Sequence, residues 1–178
     1  MGNFSCSSQK NKSLLLLGLD KTGKTSILKE LFLQKDGTQH FKEDQTTQVL
    51  ALKNLLLTIY DVSGDQKMRK FWQNYSQTAD IVVFVVDCTD RERIYLAKQE
   101  LDRILTFKEL EDIPLLILLN KQDLKGMTKE ELTKTLEIEK ITNRPWNITE
   151  TSIVDKRGLK DCLSYIRNTF IKKNRINK

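Results

Sequence analysis

Two runs of this chain, Ile81–Val86 and Leu115–Leu119, are apolar at every position, with no alternation of polar residues. Runs this short fall far below the roughly 20 residues needed to cross a bilayer. Ile81–Asp87 and Leu115–Asn120 therefore read as strands buried on both faces, as in a parallel sheet covered by helices on each side. Parallel pairing demands crossover connections, and helical patterns alternate with the strands as required. Ser13–Leu19 reads as the first strand and Ser26–Leu33 as the first helix, followed by a polar, loop-like stretch from Gln34 to Thr47. Val49–Leu52 and Leu55–Tyr60 read as a hairpin around Lys53-Asn54. Glu92–Phe107 carries Ile94, Ala97, Leu101, Ile104 and Leu105 at helical spacing, and Thr128–Leu136 is a second such helix, capped by Thr128 with Glu131 three residues on. Trp146–Thr151 is the last strand, and Gly158–Ile171 is a closing helix with Leu159, Leu163, Ile166 and Phe170 on one face. The pattern predicts an α/β fold with a doubly wound sheet, whose ligand lies beyond the carboxyl ends of the strands.

At 178 residues, 39% hydrophobic and 30% charged, the chain has material for one domain with a sizeable core. The net charge of +6 resides in the tails: residues 1–12 hold Lys10 and Lys12, residues 171–178 hold Lys172, Lys173, Arg175 and Lys178, and neither contains an acid. The body between them is neutral. Basic tails on a neutral body suit an acidic membrane surface or an acidic partner better than a nucleic-acid groove, and on charge alone they suit plain solvation equally well. The expected division is a flexible segment 1–12, a globular domain 13–171 and a basic tail 172–178. The first thirteen residues are polar and lack the pattern of a secretory signal, so the expected setting is cytoplasmic. Cys6, Cys88 and Cys162 are spaced too widely for a zinc site or a disulfide framework.

The strongest chemical signal is Gly18-Leu19-Asp20-Lys21-Thr22-Gly23-Lys24-Thr25, a complete G-x-x-x-x-G-K-[ST] placed after a strand and before a helix that starts near Ser26. Glycines let the backbone wrap so that N–H groups from Asp20 to Thr25 face a β-phosphate, aided by the positive end of the helix dipole. Lys24 is placed to reach the β- and γ-phosphates, and the Thr25 hydroxyl to ligate Mg²⁺.

Asn120-Lys121-Gln122-Asp123 stands at the end of a buried strand, where a base would lie. A carboxylate at Asp123 can accept hydrogen bonds from guanine N1–H and the 2-amino group, whereas adenine would leave it unpaired. The stem of Lys121 can cover the base, Asn120 can brace neighbouring loops, and Glu150-Thr151-Ser152-Ile153 can offer N–H groups to guanine O6.

Together with Asp61-Val62-Ser63-Gly64 and Val86-Asp87-Cys88-Thr89-Asp90-Arg91-Glu92-Arg93, these segments resemble the Arf and Arf-like small GTPases from Leu14 to about Phe170. The resemblance implies a six-stranded sheet around GTP or GDP with Mg²⁺, and a switch that acts in membrane trafficking or signalling by recruiting effectors. It gives Asp61 the role of holding Mg²⁺ through water and Gly64 that of meeting the γ-phosphate. It implies effector, exchange-factor and activating proteins at two switch regions, with Tyr60, Trp72 and Tyr75 at the effector-facing surface, although Trp72 suits ordinary core packing equally well. It further implies a monomer that associates reversibly with membranes.

The departures are informative. The family's Asp-Val-Gly-Gly-Gln is here Asp61-Val62-Ser63-Gly64-Asp65, followed by Gln66, so an aspartate stands where a glutamine orients the attacking water. In the first switch, an ungapped comparison puts Lys42 over the Mg²⁺-ligating threonine; Thr46 or Thr47 can take that place only with a longer loop. Met1-Gly2-Asn3-Phe4-Ser5-Cys6 is similar to a myristoylated start at Gly2, with Cys6 in the usual serine or threonine position. One acyl chain anchors marginally, so Cys6 or the basic tails are the candidate second signal. Three readings remain: a slow GTPase switch, a GTP-occupied adaptor without hydrolysis, and a P-loop kinase or ATPase, which leaves Asn120-Lys121-Gln122-Asp123 without a role.

Overall fold

The computed structural model describes residues 10–33, 40–42, 46–52 and 55–176. Among the described residues, seven strands form one sheet: β1 (Lys10–Leu17), β2 (His40–Lys42), β3 (Thr47–Leu52), β4 (Leu55–Asp61), β5 (Ile81–Asp87), β6 (Leu115–Asn120) and β7 (Trp146–Glu150). Their order is β2-β3-β4-β1-β5-β6-β7. The expected six strands are present, and β2 adds a three-residue edge inside the stretch read as loop, antiparallel to β3 with Lys42 opposite Gln48. Five strands run parallel, and only β2–β3 and β3–β4 pair antiparallel.

The α-helices among the described residues are α1 (Lys24–Leu33), the single turn α2 (Gln66–Arg69), α3 (Ile94–Leu105), α4 (Lys129–Thr135) and α5 (Leu159–Ile176). Strand periodicity divides the core into two layers. Leu15 and Leu17 of β1, with Phe84, Val86, Ile117 and Leu119, pack against Ala97, Leu101 and Ile104 of α3 and Leu132 of α4. Leu14 and Leu16, with Val83, Val85, Leu116 and Leu118, pack against Ile27, Leu28 and Leu31 of α1 and Leu159, Cys162, Leu163 and Ile166 of α5. Both faces of β5 and β6 are covered, which is why those strands carry no polar residue until their last position. The strand order turns about β1, with β4 on one side of it and β5 on the other, and the crevice at such a reversal is where a doubly wound sheet binds its ligand.

Several boundaries move from those expected. β1 begins at Lys10, so residues 10–12 belong to the sheet, and Lys12 forms an ion pair with Asp80 at 2.7 Å. α5 continues to Ile176 and takes residues 172–176 of the basic tail into the helix. Thr128 caps α4 as its sequence suggests, its hydroxyl accepting from the Glu131 N–H at 3.2 Å, a contribution of about 1 kcal/mol. Short 3₁₀ segments at Trp72–Thr78, Lys108–Leu110 and Ile138–Lys140 fill connections that show no period in the sequence. Trp72 is fully buried, its indole N–H donating to the Ser63 carbonyl at 3.0 Å, so it is a core residue rather than part of an effector-facing surface. The half-buried rings of Tyr60 and Tyr75 meet at a tilt of 50° with their centroids 5.8 Å apart, while Met68 and Phe71 are the exposed apolar residues of that region. Among the described residues, no helix is long and apolar enough to cross a membrane.

Candidate functional site

The carboxyl ends of β1, β4, β5, β6 and β7 assemble the site. Register sets Leu16 beside Asp61, Asp87 beside Asn120 and Leu119 beside Glu150, so the segments following these strands share one edge. β1 stops at Gly18, where φ is +140° and any side chain would drive into the Val85 carbonyl. Only glycine fits both constraints. The loop turns through Lys21 and Gly23, both at positive φ, and α1 starts with Ile27 N–H donating to Gly23 O at 2.8 Å.

Lys24 is buried, and its ammonium donates to the carbonyls of Gly18 at 2.9 Å and Leu19 at 2.7 Å. Burial lowers its pKa to about 8, against the pull of the Asp61 and Asp20 carboxylates, which raise it. The Thr22 hydroxyl donates to Leu19 O at 2.9 Å and stiffens the same turn. Thr25 and Ser26 are exposed at the mouth of the loop, and the Thr25 hydroxyl donates to Asp61 Oδ2 at 2.5 Å. Burial raises the Asp61 pKa, while the Thr25 bond and Lys24 oppose the rise. A hydroxyl and a carboxylate side by side are hard oxygen donors of the kind that Mg²⁺ takes, together with water and phosphate oxygens. Thr25 and Asp61 therefore fit that ion.

The structure locates the three candidates for the first switch, Lys42, Thr46 and Thr47, differently, with Thr47 buried as the first residue of β3. Lys42 lies in β2, whereas Thr46 precedes β3 and its carbonyl accepts from the Asp61 N–H at 2.8 Å. Thr46, not Lys42, is thereby joined to the Asp61 backbone.

On the other side of the loop, Asn120 is fully buried and reaches in two directions. Its amide donates to Thr22 O at 2.8 Å, and its carbonyl oxygen accepts from the Thr151 hydroxyl at 3.2 Å. Ser152 donates to Asp123 Oδ1 at 2.7 Å and accepts from the Val154 N–H, fixing the carboxylate at the rim. The Lys121 ammonium pairs with Asp87 at 2.5 Å, which orients its stem. Burial would push the Asp87 carboxyl up, but the bonds from Lys121 and Thr89 outweigh it and hold the pKa down. Ile153 packs close to Gly23. The site thus offers an anion cradle, a divalent-cation position and a polar rim able to read a base edge.

In the second switch segment, Gly64 lies directly on the phosphate loop. A side chain there would overlap Gly18 O, Leu19 C and Asp20 N, and the Gly64 carbonyl accepts from the Asp20 N–H at 3.2 Å. The Asp20 N–H therefore points to Gly64 and not into the cradle. Asp65 is exposed and caps α2, its carboxylate accepting from the Lys67 N–H at 2.9 Å, and Gln66 is the exposed first residue of that turn. Sequence reasoning missed Arg69 and Arg93, which face Asp20, and Glu100, which pairs with Arg69. Arg93 belongs to a quoted motif but carried no assigned role, and nothing local marks Arg69 or Glu100, since they are 31 residues apart. Gly2 and Cys6 lie outside the described residues.

The model of the ADP-ribosylation factor family matches residues 3–170, nearly the whole chain and all of the strands and loops that form this site. On that match, which carries the implication of guanine-nucleotide binding, the chain belongs to the ADP-ribosylation factor (Arf) family.

Proposed function

We propose that this chain is a guanine-nucleotide switch that binds GTP and GDP with Mg²⁺, and that it hydrolyses GTP slowly. The observation that carries the reading is the Asn120 bracket: one buried amide ties Thr22 of the phosphate loop to Thr151, next to the Ser152–Asp123 pair. Phosphate and base positions are thus built as one unit, which a phosphate loop serving an adenine nucleotide does not require of this tetrapeptide. Lys21, Thr22, Gly23, Lys24, Thr25 and Ser26 surround the phosphates, with Gly18 making the turn. Lys121 covers the base, Asp123 reads its Watson–Crick edge, and Ser152 and Ile153 line the rim. Thr25 and Asp61 hold the metal, with Thr46 as the first-switch candidate; Mg²⁺ supplies charge neutralisation between the β- and γ-phosphates. Gly64, Asp65 and Gln66 bear on hydrolysis.

A GTP-occupied adaptor without hydrolysis is the second reading, and the use of Asp65 as a helix cap favours it. Membrane association through myristoylated Gly2 and the basic tails, and docking of effector, exchange-factor and activating proteins on the switches, complete the proposal.

The test is base selectivity. Asp123→Asn should lose about 2–4 kcal/mol of GTP binding, roughly thirty- to a thousandfold. It should gain preference for xanthosine triphosphate, which carries an oxygen where guanine has its amino group. A variant that still prefers guanine would show that Asp123 does not read the base.

A further inference from the structure

Asp20 is the only acidic side chain of the phosphate loop, and two arginines from distant elements face it. Arg93, at the start of α3, donates Nη1 to Asp20 Oδ1 at 2.8 Å. Arg69, at the end of α2, brings Nη2 to 3.8 Å from the same oxygen. The Arg69 side chain is only 8% exposed and its remaining contacts are fixed. Its Nε donates to the Gly64 carbonyl at 2.9 Å, its Nη1 donates to Glu100 at 3.4 Å, and its own carbonyl accepts from Arg103 at 3.0 Å. Gly64 is therefore held on the loop from two sides, by the Asp20 N–H and by Arg69.

The direction of the nucleotide gives this contact a consequence. The base rim, Asp123 and Ser152, lies beyond β6 and β7, whereas Asp61 and Gly64 follow β4 on the other side of β1. A phosphate chain starting at that rim and crossing the loop reaches the Gly64 side last. There a third phosphate would need free N–H groups, whereas the Asp20 N–H is already engaged by the Gly64 carbonyl oxygen and Gly64 lies in close backbone contact with Gly18, Leu19 and Asp20.

We propose that Arg69 is the positioning residue that sets the preference between di- and triphosphate, by holding Gly64 in the arrangement that excludes the third phosphate. The inference rests on the guanine-nucleotide reading above. A buried hydrogen bond from a charged donor is worth about ten- to a hundredfold in the balance between the two arrangements. Glu100 accepts from Arg69 and from Arg103, which itself donates to the Arg69 carbonyl, and so acts by orienting Arg69.

The experiment measures competition of GDP and of a non-hydrolysable GTP analogue against a fluorescent guanine nucleotide, in the full chain with Mg²⁺. Arg69→Met keeps the side-chain bulk and removes the donors. It should raise the triphosphate-to-diphosphate affinity ratio by about tenfold or more, with Glu100→Gln smaller in the same direction and Arg69→Lys between Arg69→Met and the parent. A merely structural role weakens both nucleotides together and leaves the ratio alone. An unchanged or lowered ratio in a folded Arg69→Met protein overturns the inference; if that variant does not fold, the ratios of Arg69→Lys and Glu100→Gln decide it in the same way. A parent that binds neither nucleotide removes the guanine-switch reading as well, whereas a parent that binds both while the ratio stays fixed removes this inference alone.

Discussion

Replacing Asp65 with glutamine separates two physical effects of the most consequential departure from the family pattern. Asp65 is exposed and caps α2 by accepting from the Lys67 N–H at 2.9 Å. Removing the cap costs about 1 kcal/mol, enough to loosen a one-turn helix. The charge acts in the opposite sense. A carboxylate ~5 Å from a phosphoryl oxygen repels it by about 3 kcal/mol at an effective dielectric near 20, but by about 0.8 kcal/mol at the water-like dielectric suited to an exposed group. The lower figure is the relevant one, and because the repulsion opposes closure of the second switch over the phosphate, relief of charge alone accelerates hydrolysis about fourfold. A glutamine amide adds what an ionised carboxylate lacks, a donor toward the γ-phosphate combined with an acceptor for the attacking water. Single-turnover hydrolysis of preloaded GTP reads these effects without interference from affinity. Asp65→Asn, which keeps a good cap and removes the charge, should be about fourfold faster than the parent. Asp65→Gln should exceed Asp65→Asn, and Gln66→Ala should be nearly unchanged. A large loss in Gln66→Ala with no gain in Asp65→Gln would refute the reasoning and make Gln66 the working glutamine.

Two further outcomes follow from other parts of the molecule. Gly23 sits at φ +93° with Asn120 Nδ2 against it, so Gly23→Ala should strain the loop, break the Asn120–Thr22 link and weaken nucleotide binding by about ten- to a hundredfold; an affinity equal to the parent's would show that the bracket is dispensable. Gly2→Ala should leave the protein largely in the soluble fraction of cells, because the basic tails alone bind membranes weakly; retention on membranes as full as the parent's would exclude acylation at Gly2 as the anchor.

The elements that could be read from sequence are those whose signal is local. The runs Ile81–Asp87 and Leu115–Asn120 appear as strands with the expected bounds, because residues buried on both faces leave no polar position to blur the ends. Gly18, Gly23 and Lys24 were legible for a similar reason: their roles depend on the backbone turn in which they stand. β2 was not legible, since three residues of mixed polarity become a strand only by pairing with β3. Trp72 shows the limit of pattern, because its burial depends on α3 and on the Ser63 carbonyl. Asp65 was readable as a missing glutamine but not as a helix cap, a role that required the position of Lys67. The Arg69–Asp20–Arg93 cluster depends on contacts between α2, the phosphate loop and α3, and no spacing in the chain encodes it.

The central claim, that the site built on Lys24, Asn120 and Asp123 holds a guanine nucleotide, is tested most directly by identifying what the chain carries. Protein purified gently in Mg²⁺ is denatured, and the released nucleotide is separated and quantified. The account predicts close to one guanine nucleotide per chain, with GTP enriched in the Asp65 parent relative to Asp65→Gln. Adenine nucleotide in that extract, or an empty protein that takes up neither GTP nor GDP on addition, would contradict it.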